Sequence, residues 1–159
     1  MIDSSAFIHA MGAAVTGVTV VTAIENGRPI GRTISAMCSV SAAPPQLLVG
    51  IRSESPLLTA ITVSGTFAVN ILSDRQAALA DAFAGRGAPH DWRAFTDDTP
   101  PLLHDAAARF GCEVTRTLVA GTHTLVLGAV TRAERGALRA LAYTRRGYVA
   151  PLPLGRLVA

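Results

Sequence analysis

Apolar and polar positions along this chain alternate more often than they recur every three or four residues, and short β-branched runs outnumber helical stretches. The first run is Val18 to Ile24 and the second begins at Ile30, with Glu25-Asn26-Gly27-Arg28-Pro29 between them. Asn-Gly between two such runs predicts a β-hairpin, because both residues tolerate the positive φ of a tight turn. Gln46 to Ile51 predicts a third strand and Thr66 to Leu72 a fourth. Two longer strands follow, at about Ala108 to Leu118 and Thr122 to Arg132, then a turn at Gly136. Short segments at Leu141 to Tyr143 and Tyr148 to Pro151 complete the series.

Three stretches carry helical spacing. Ser4 or Ser5 caps one that runs to about Ala14, with Phe7, Ala10, Met11 and Ala14 on one face, and Gly17 breaks it. Pro56 opens a second, with Leu57, Leu58 and Ile61 as its buried stripe and Ser64-Gly65 as its end. Ser73-Asp74 caps a third, which bears Ala77, Ala78, Leu79 and Phe83. Gly85 to Pro101 is polar and rich in turn residues, a long excursion or lid that Trp92 and Phe95 pin to the body. The order is not a βαβ alternation, and no glycine-rich dinucleotide loop is present. These elements predict a mainly β fold: a single domain over residues 1–159, built as an antiparallel barrel with short peripheral α-helices.

Composition narrows the function. The chain has 159 residues, of which half are apolar and 16% charged, enough for a real core and too apolar for disorder. Aromatics are only 5%, so Val, Leu, Ile and Ala must build that core. All fourteen basic residues are arginines, but they are dispersed and no aromatic residues interleave them, which argues against nucleic acid as a partner. Apolar runs are too short to cross a bilayer as helices. The N-terminus lacks a basic region and carries Asp3, so it does not read as a signal peptide, and a cytoplasmic location is expected. Cys38 and Cys112 are expected to be buried apolar fillers rather than a disulfide. The four histidines show no metal-ligand spacing, with each other or with the cysteines, so no metal is expected.

The stretch from Gly31 to Pro56, GRTISAMCSVSAAPPQLLVGIRSESP, holds the candidate chemistry. Small residues let a planar ligand approach the backbone, while hydroxyls and an arginine beside a strand end suit a phosphate. Arg52, Ser53 and Ser55 follow a strand end, and Ser55-Pro56 opens a helix whose free amides and dipole favour an anion. Glu54 sits among them and is expected to point away. The ordinary structural alternatives are a strand with solvent-facing serines and a routine helix cap.

Four ordered blocks carry a family resemblance. They are Thr16 to Ala23; Gly31 to Ser41 with Pro44-Pro45; Thr66 to Leu72 with Gln76 and Phe83-Ala84; and Gly121-Thr122-His123, Leu127 to Val130, Leu141 to Tyr143 and Gly147-Tyr148. In this order the chain resembles the flavin reductase-like, FMN-binding split-barrel family, the small reductase components of two-component flavin-dependent monooxygenases. The resemblance implies a Greek-key split β-barrel and a symmetric homodimer with flavin near the interface. It also implies hydride transfer from NADH or NADPH to N5 of FMN or FAD, and a partner monooxygenase that receives the reduced flavin.

It further implies residue roles. Thr33, Ile34, Ser35 and Ala36 would lie along the flavin ring, with Ser39, Val40 and Ser41 near N5 and the ribityl chain. Arg52, Ser53 and Ser55 would take the phosphate, and Phe83 and Ala84 would contact the cofactor. His123 would position the nicotinamide, with Arg146, Gly147 and Tyr148 nearby. The family pattern has an acidic residue before this histidine, where this chain has Thr122. Arg32 replaces a commonly apolar residue, and either the FAD pyrophosphate or solvent could receive it. Two other readings stay open: a fixed-flavin enzyme acting on an organic substrate, and a non-catalytic flavin-binding protein.

Overall fold

Asn26 and Gly27 adopt φ of 50° and 75°, so the first hairpin closes in two residues, with Glu25 paired to Arg28. Positive φ at both positions is the primed-turn geometry that matches strand twist. The computed structural model describes residues 2–88 and 91–153. In chain order its elements are α1 (Ser4–Met11), β1 (Thr16–Gly17), β2 (Thr19–Glu25), β3 (Arg28–Ile34), β4 (Met37–Ala42), β5 (Pro45–Arg52) and α2 (Pro56–Ser64). Then come β6 (Thr66–Ile71), α3 (Ala77–Phe83), a 3-10 turn (Trp92–Ala94), β7 (Ala108–Ala120), β8 (His123–Arg135), β9 (Ala142–Thr144) and β10 (Gly147–Val149).

Seven strands form one antiparallel sheet in the order β3-β2-β6-β7-β8-β5-β4, and β1, β9 and β10 form a small second sheet. The two edges of the large sheet, β3 and β4, are consecutive in the chain and separated only by Ser35 and Ala36. A two-residue link between opposite edges requires the sheet to curl until they meet. The Gly50 amide closes that seam on the Ala36 carbonyl at 2.8 Å. The result is a mainly β split barrel of Greek-key type. Pro29 lies on β3, an edge strand, where its missing N–H breaks no central ladder.

The barrel interior holds Val21, Val49, Ile51, Phe67, Val69 and Val126, and α2 adds Leu57, Ala60 and Ile61. A second apolar cluster on the outside unites Val18, Val20 and Leu72 with Phe83 of α3, with Phe95 of the excursion and with Leu103 just after it. Phe83, Trp92 and Phe95 pack edge-on or tilted against one another, with ring centroids 4.9–5.6 Å apart. Buried polar groups moor the excursion as well. Asn70 receives the Leu103 amide at 2.8 Å and donates to the Val20 carbonyl at 3.1 Å, and Thr22 donates to the Pro101 carbonyl at 2.7 Å. Unsatisfied, each of these groups would destabilise the fold, so their pairing also fixes where the loop lies.

Three expectations change. The first helix is capped by Asp3, whose carboxylate accepts from the Ser5 and Ala6 amides, and it ends at Met11, three residues early. None of its residues is buried within the chain. The third helix begins at Ala77 rather than after Ser73-Asp74. Ser73 instead bridges Ala140 and donates its amide to the Gln76 side chain at 2.9 Å, while Asp74 pairs with Arg139 at 2.9 Å. Cys112 is buried, and burial pushes its thiol up to about 12, but Cys38 is exposed. No helix among the described residues is long and apolar enough to cross a membrane.

Candidate functional site

A cavity of about 610 Å³ opens where β3 and β5 part company. Its apex is the Ala36–Gly50 hydrogen bond; from there residues 32–35 form one wall, and Ile51, Arg52, Glu54, Ser55 and Pro56 form the other. Phe83 and Ala84 close the first wall at the end of α3, and His123, paired with Arg52 across the ladder, closes the second. Of the residues singled out from the sequence, this cavity gathers Thr33, Ile34, Ser35, Ala36, Arg52, Ser55, Phe83, Ala84 and His123.

Each wall has a local cause. Thr33 donates its hydroxyl to the Ala80 carbonyl at 2.7 Å, which ties β3 to α3. Phe83 can lie on β3 because Gly31 has no side chain: a Cβ there would stand 2.8 Å from Phe83 Cε1. On the opposite wall Ser55 is the N-cap of α2, in extended conformation, with Pro56 at the first helical position. Its hydroxyl makes no capping bond, so the helix N-terminus turns toward the cavity without a side-chain acceptor. Arg52 brings a guanidinium to the same wall. Ser53 faces elsewhere: its hydroxyl pairs with that of Thr124 at 3.0 Å, and its amide donates to the Thr122 carbonyl. The His123 Nδ1 lies 3.0 Å from the Thr122 hydroxyl, so a neutral group holds the ring where the family pattern has a carboxylate.

Ser39, Val40 and Ser41 lie on β4, away from this cavity lining. Ser41 accepts the Ala43 amide at 3.1 Å. Gly147 and Tyr148 belong to β10, and Tyr148 directs its hydroxyl to Asp81. Arg146 lines a shallow hollow with Ser5 and His9 instead. The sequence reading missed Gly50, Ile51 and Pro56 as lining residues, and Glu54, expected to point away, lines the cavity too. Gly50 carried a usable signal: a glycine inside an apolar strand marks a close approach. Its Cβ position is only 3.1 Å from Ala36 Cβ.

The cavity size falls in the ordinary range for small-molecule sites. The small residues Ala36, Gly50 and Ala84 in the lining leave room for a flat ring, while Arg52 and the α2 N-terminus offer donors to a phosphate. The residues present therefore fit a planar, phosphorylated cofactor. A family model described as "Flavin reductase like domain" matches residues 11–151, a span that contains every lining residue of this cavity. The chain belongs to the flavin reductase-like family.

The likeness to members of that family extends over most of the chain. A Rhizobium meliloti protein described as "Probable flavin reductase" is 40% identical over 99% of this chain, which spans 52% of that relative. A "Flavin reductase (NADH)" of Kitasatospora aureofaciens is 43% identical over 82% of this chain and 71% of its own length. The reductase component of a 4-nitrophenol 4-monooxygenase/4-nitrocatechol 2-monooxygenase from Rhodococcus opacus is 36% identical over 91% of this chain and 79% of its own. Among solved structures, flavin reductase PheA2 superposes with a TM-score of 0.90 at 36% identity, covering 96% of this chain and all of that one.

Proposed function

We propose that this chain is an NAD(P)H-dependent flavin reductase that transfers hydride to N5 of FMN or FAD and supplies reduced flavin to a partner flavin-dependent monooxygenase. The observation that carries the reading is the shared cavity: small residues in its lining, Arg52 with the α2 N-terminus on one wall, and His123 at its edge. Thr33 to Ala36 lie along the ring, Phe83 and Ala84 contact the cofactor, and Arg52 with Ser55 takes the phosphate. Bound flavin supplies the hydride-accepting ring itself. The protein's share is to orient two flat partners and to exclude water, which needs no acid-base pair. His123 positions the nicotinamide.

The relatives named as NADH-dependent reductases, and as a monooxygenase reductase component, support the donor and the partner. Phe7, Ile8 and Met11 of α1 are exposed within one chain, as is Val40 on the edge strand β4. That uncovered apolar surface supports a homodimer, and a twofold pair is the commonest soluble assembly. A cytoplasmic setting suits a soluble donor and a free thiol at Cys38. The test is NADH and NADPH oxidation with added FMN or FAD, alongside flavin binding. Flavin that binds but is never reduced by either nucleotide would sink the reductase reading.

A further inference from the structure

The cavity contains a second guanidinium that the monophosphate reading leaves idle. Arg32 lines the wall opposite Arg52, is exposed, and among the described residues has neither an ion pair nor a side-chain hydrogen bond. Its Nη1 lies 3.8 Å from the point where a Cβ would stand at Gly85, so the cation rests against the end of α3 beside Ala84. The nearest carboxylate on that helix, Asp81, is already engaged by Arg86 at 3.1 Å and by Tyr148 at 2.8 Å. Glu54 lines the other wall, two residues from Arg52, and makes no ion pair with Arg32. Positive charge at the α3 rim is therefore uncompensated, in the same cavity as Arg52 and the α2 N-terminus, which serve one phosphate. A ligand that sets one phosphate against each cation carries a diphosphate.

We infer that Arg32 is a specificity-determining residue that holds the second phosphate of FAD, making the diphosphate flavin the preferred one. This rests on the flavin reading above. A nicotinamide dinucleotide also carries a diphosphate, so the experiment must separate the two. Dialysed protein is titrated with FMN, FAD and NADH, each alone, by calorimetry or flavin fluorescence. Wild type is expected to bind FAD more tightly than FMN. In Arg32→Gln the ratio of FAD to FMN affinity falls about tenfold, the size of one charge-assisted hydrogen bond. Arg32→Lys retains part of the ratio, and added salt weakens FAD binding more than FMN binding. An unchanged ratio in Arg32→Gln, a wild-type preference for FMN, or a loss confined to NADH overturns the inference while leaving flavin binding intact. Wild type that binds neither flavin overturns both readings together.

Discussion

The Tyr148 phenol donates a 2.8 Å hydrogen bond to Asp81 Oδ1, and so ties the last hairpin of the chain to the helix that rims the cavity. The same carboxylate oxygen receives Arg86 at 3.1 Å. Behind it, the Arg86 amide donates to the Asp81 carbonyl and the Gly85 amide to the Ala82 carbonyl, with Gly85 at φ +77°. That double bond pattern is a Schellman motif, and only glycine adopts its left-handed position without strain. Asp81 is thus the junction of a helix end, a loop and a hairpin. Phe83 and Ala84, which line the cavity, lie two and three residues beyond it.

Removing the phenol hydroxyl should loosen that rim without unfolding the protein. Tyr148→Phe keeps the edge contact with Tyr143, whose ring centroid is 5.4 Å away. Asp81 keeps Arg86. Flavin dissociation constants are expected to rise roughly three- to tenfold, the range for one hydrogen bond lost. Circular dichroism should be unchanged. Asp81→Asn, which weakens both bonds, should cost more than Tyr148→Phe; equal flavin affinity in all three proteins would show that the latch does not govern the rim.

The latch also has a pH window. The Tyr148 hydrogen bond, and next the Arg86 contact, hold the Asp81 carboxyl below the usual carboxylate range. A depressed acid stabilises the fold above its unfolded pKa of about 4 and loses that contribution as pH falls through the lower folded value. Burial, followed by the bond to Asp81, pushes the Tyr148 phenol up. Its neutral form is favoured, so that contribution is present below about pH 10 and is lost as pH rises through the higher folded value. Ultraviolet titration of tyrosinate should show a component that ionises late. That component should vanish in Tyr148→Phe and move partway back in Asp81→Asn.

Two glycines separate core packing from site packing. A Cβ at Gly128 would stand 2.6 Å from Cζ and 2.8 Å from Cε1 of Phe67, a fully buried ring with no room to retreat. Gly128→Ala should destabilise by about 1–3 kcal/mol, the usual cost of overpacking. Folded protein should still bind flavin normally. At Gly31 the same change meets Phe83 instead, at 2.8 Å. Gly31→Ala should therefore displace a ring that lines the cavity, and lower both the melting temperature and the flavin affinity. Equal flavin affinity in Gly31→Ala and wild type would show that Phe83 does not shape the site.

Most of the barrel was legible because its signals are local. Asn26-Gly27, the β-branched runs and Pro56 each act within a few residues, and the turn, strands and helix lie where they predict. The errors fall where distant partners decide. Ser73 and Asp74 look like a helix cap, but Ala140 and Arg139 occupy them, and α3 starts later. Tyr148 meets Asp81 across 67 residues, a pairing no spacing rule contains. The site was half legible for the same reason. Thr33 to Ala36 and Arg52 to Ser55 could be named as segments, but which members face the cavity depends on where β3 and β5 diverge. That divergence turns Ser53 toward Thr124 and leaves Glu54 on the lining.

Thr122 gives the sharpest test of what His123 does. The hydroxyl lies 3.0 Å from His123 Nδ1 and can serve either tautomer, whereas a carboxylate could only accept. Its role is then to hold the ring's direction at the cavity edge. Thr122→Val keeps the β-branched shape and the backbone carbonyl that receives the Ser53 amide, but removes the partner. If His123 positions the nicotinamide, KM for the nucleotide should rise about two- to tenfold, in keeping with one neutral hydrogen bond, while kcat changes little. His123→Ala should shift KM further in the same direction. A fall in kcat at constant KM, in either variant, would instead assign His123 to the chemical step. Flavin affinity, measured on the same preparations, should be unchanged in Thr122→Val, because the hydroxyl is absent from the cavity lining.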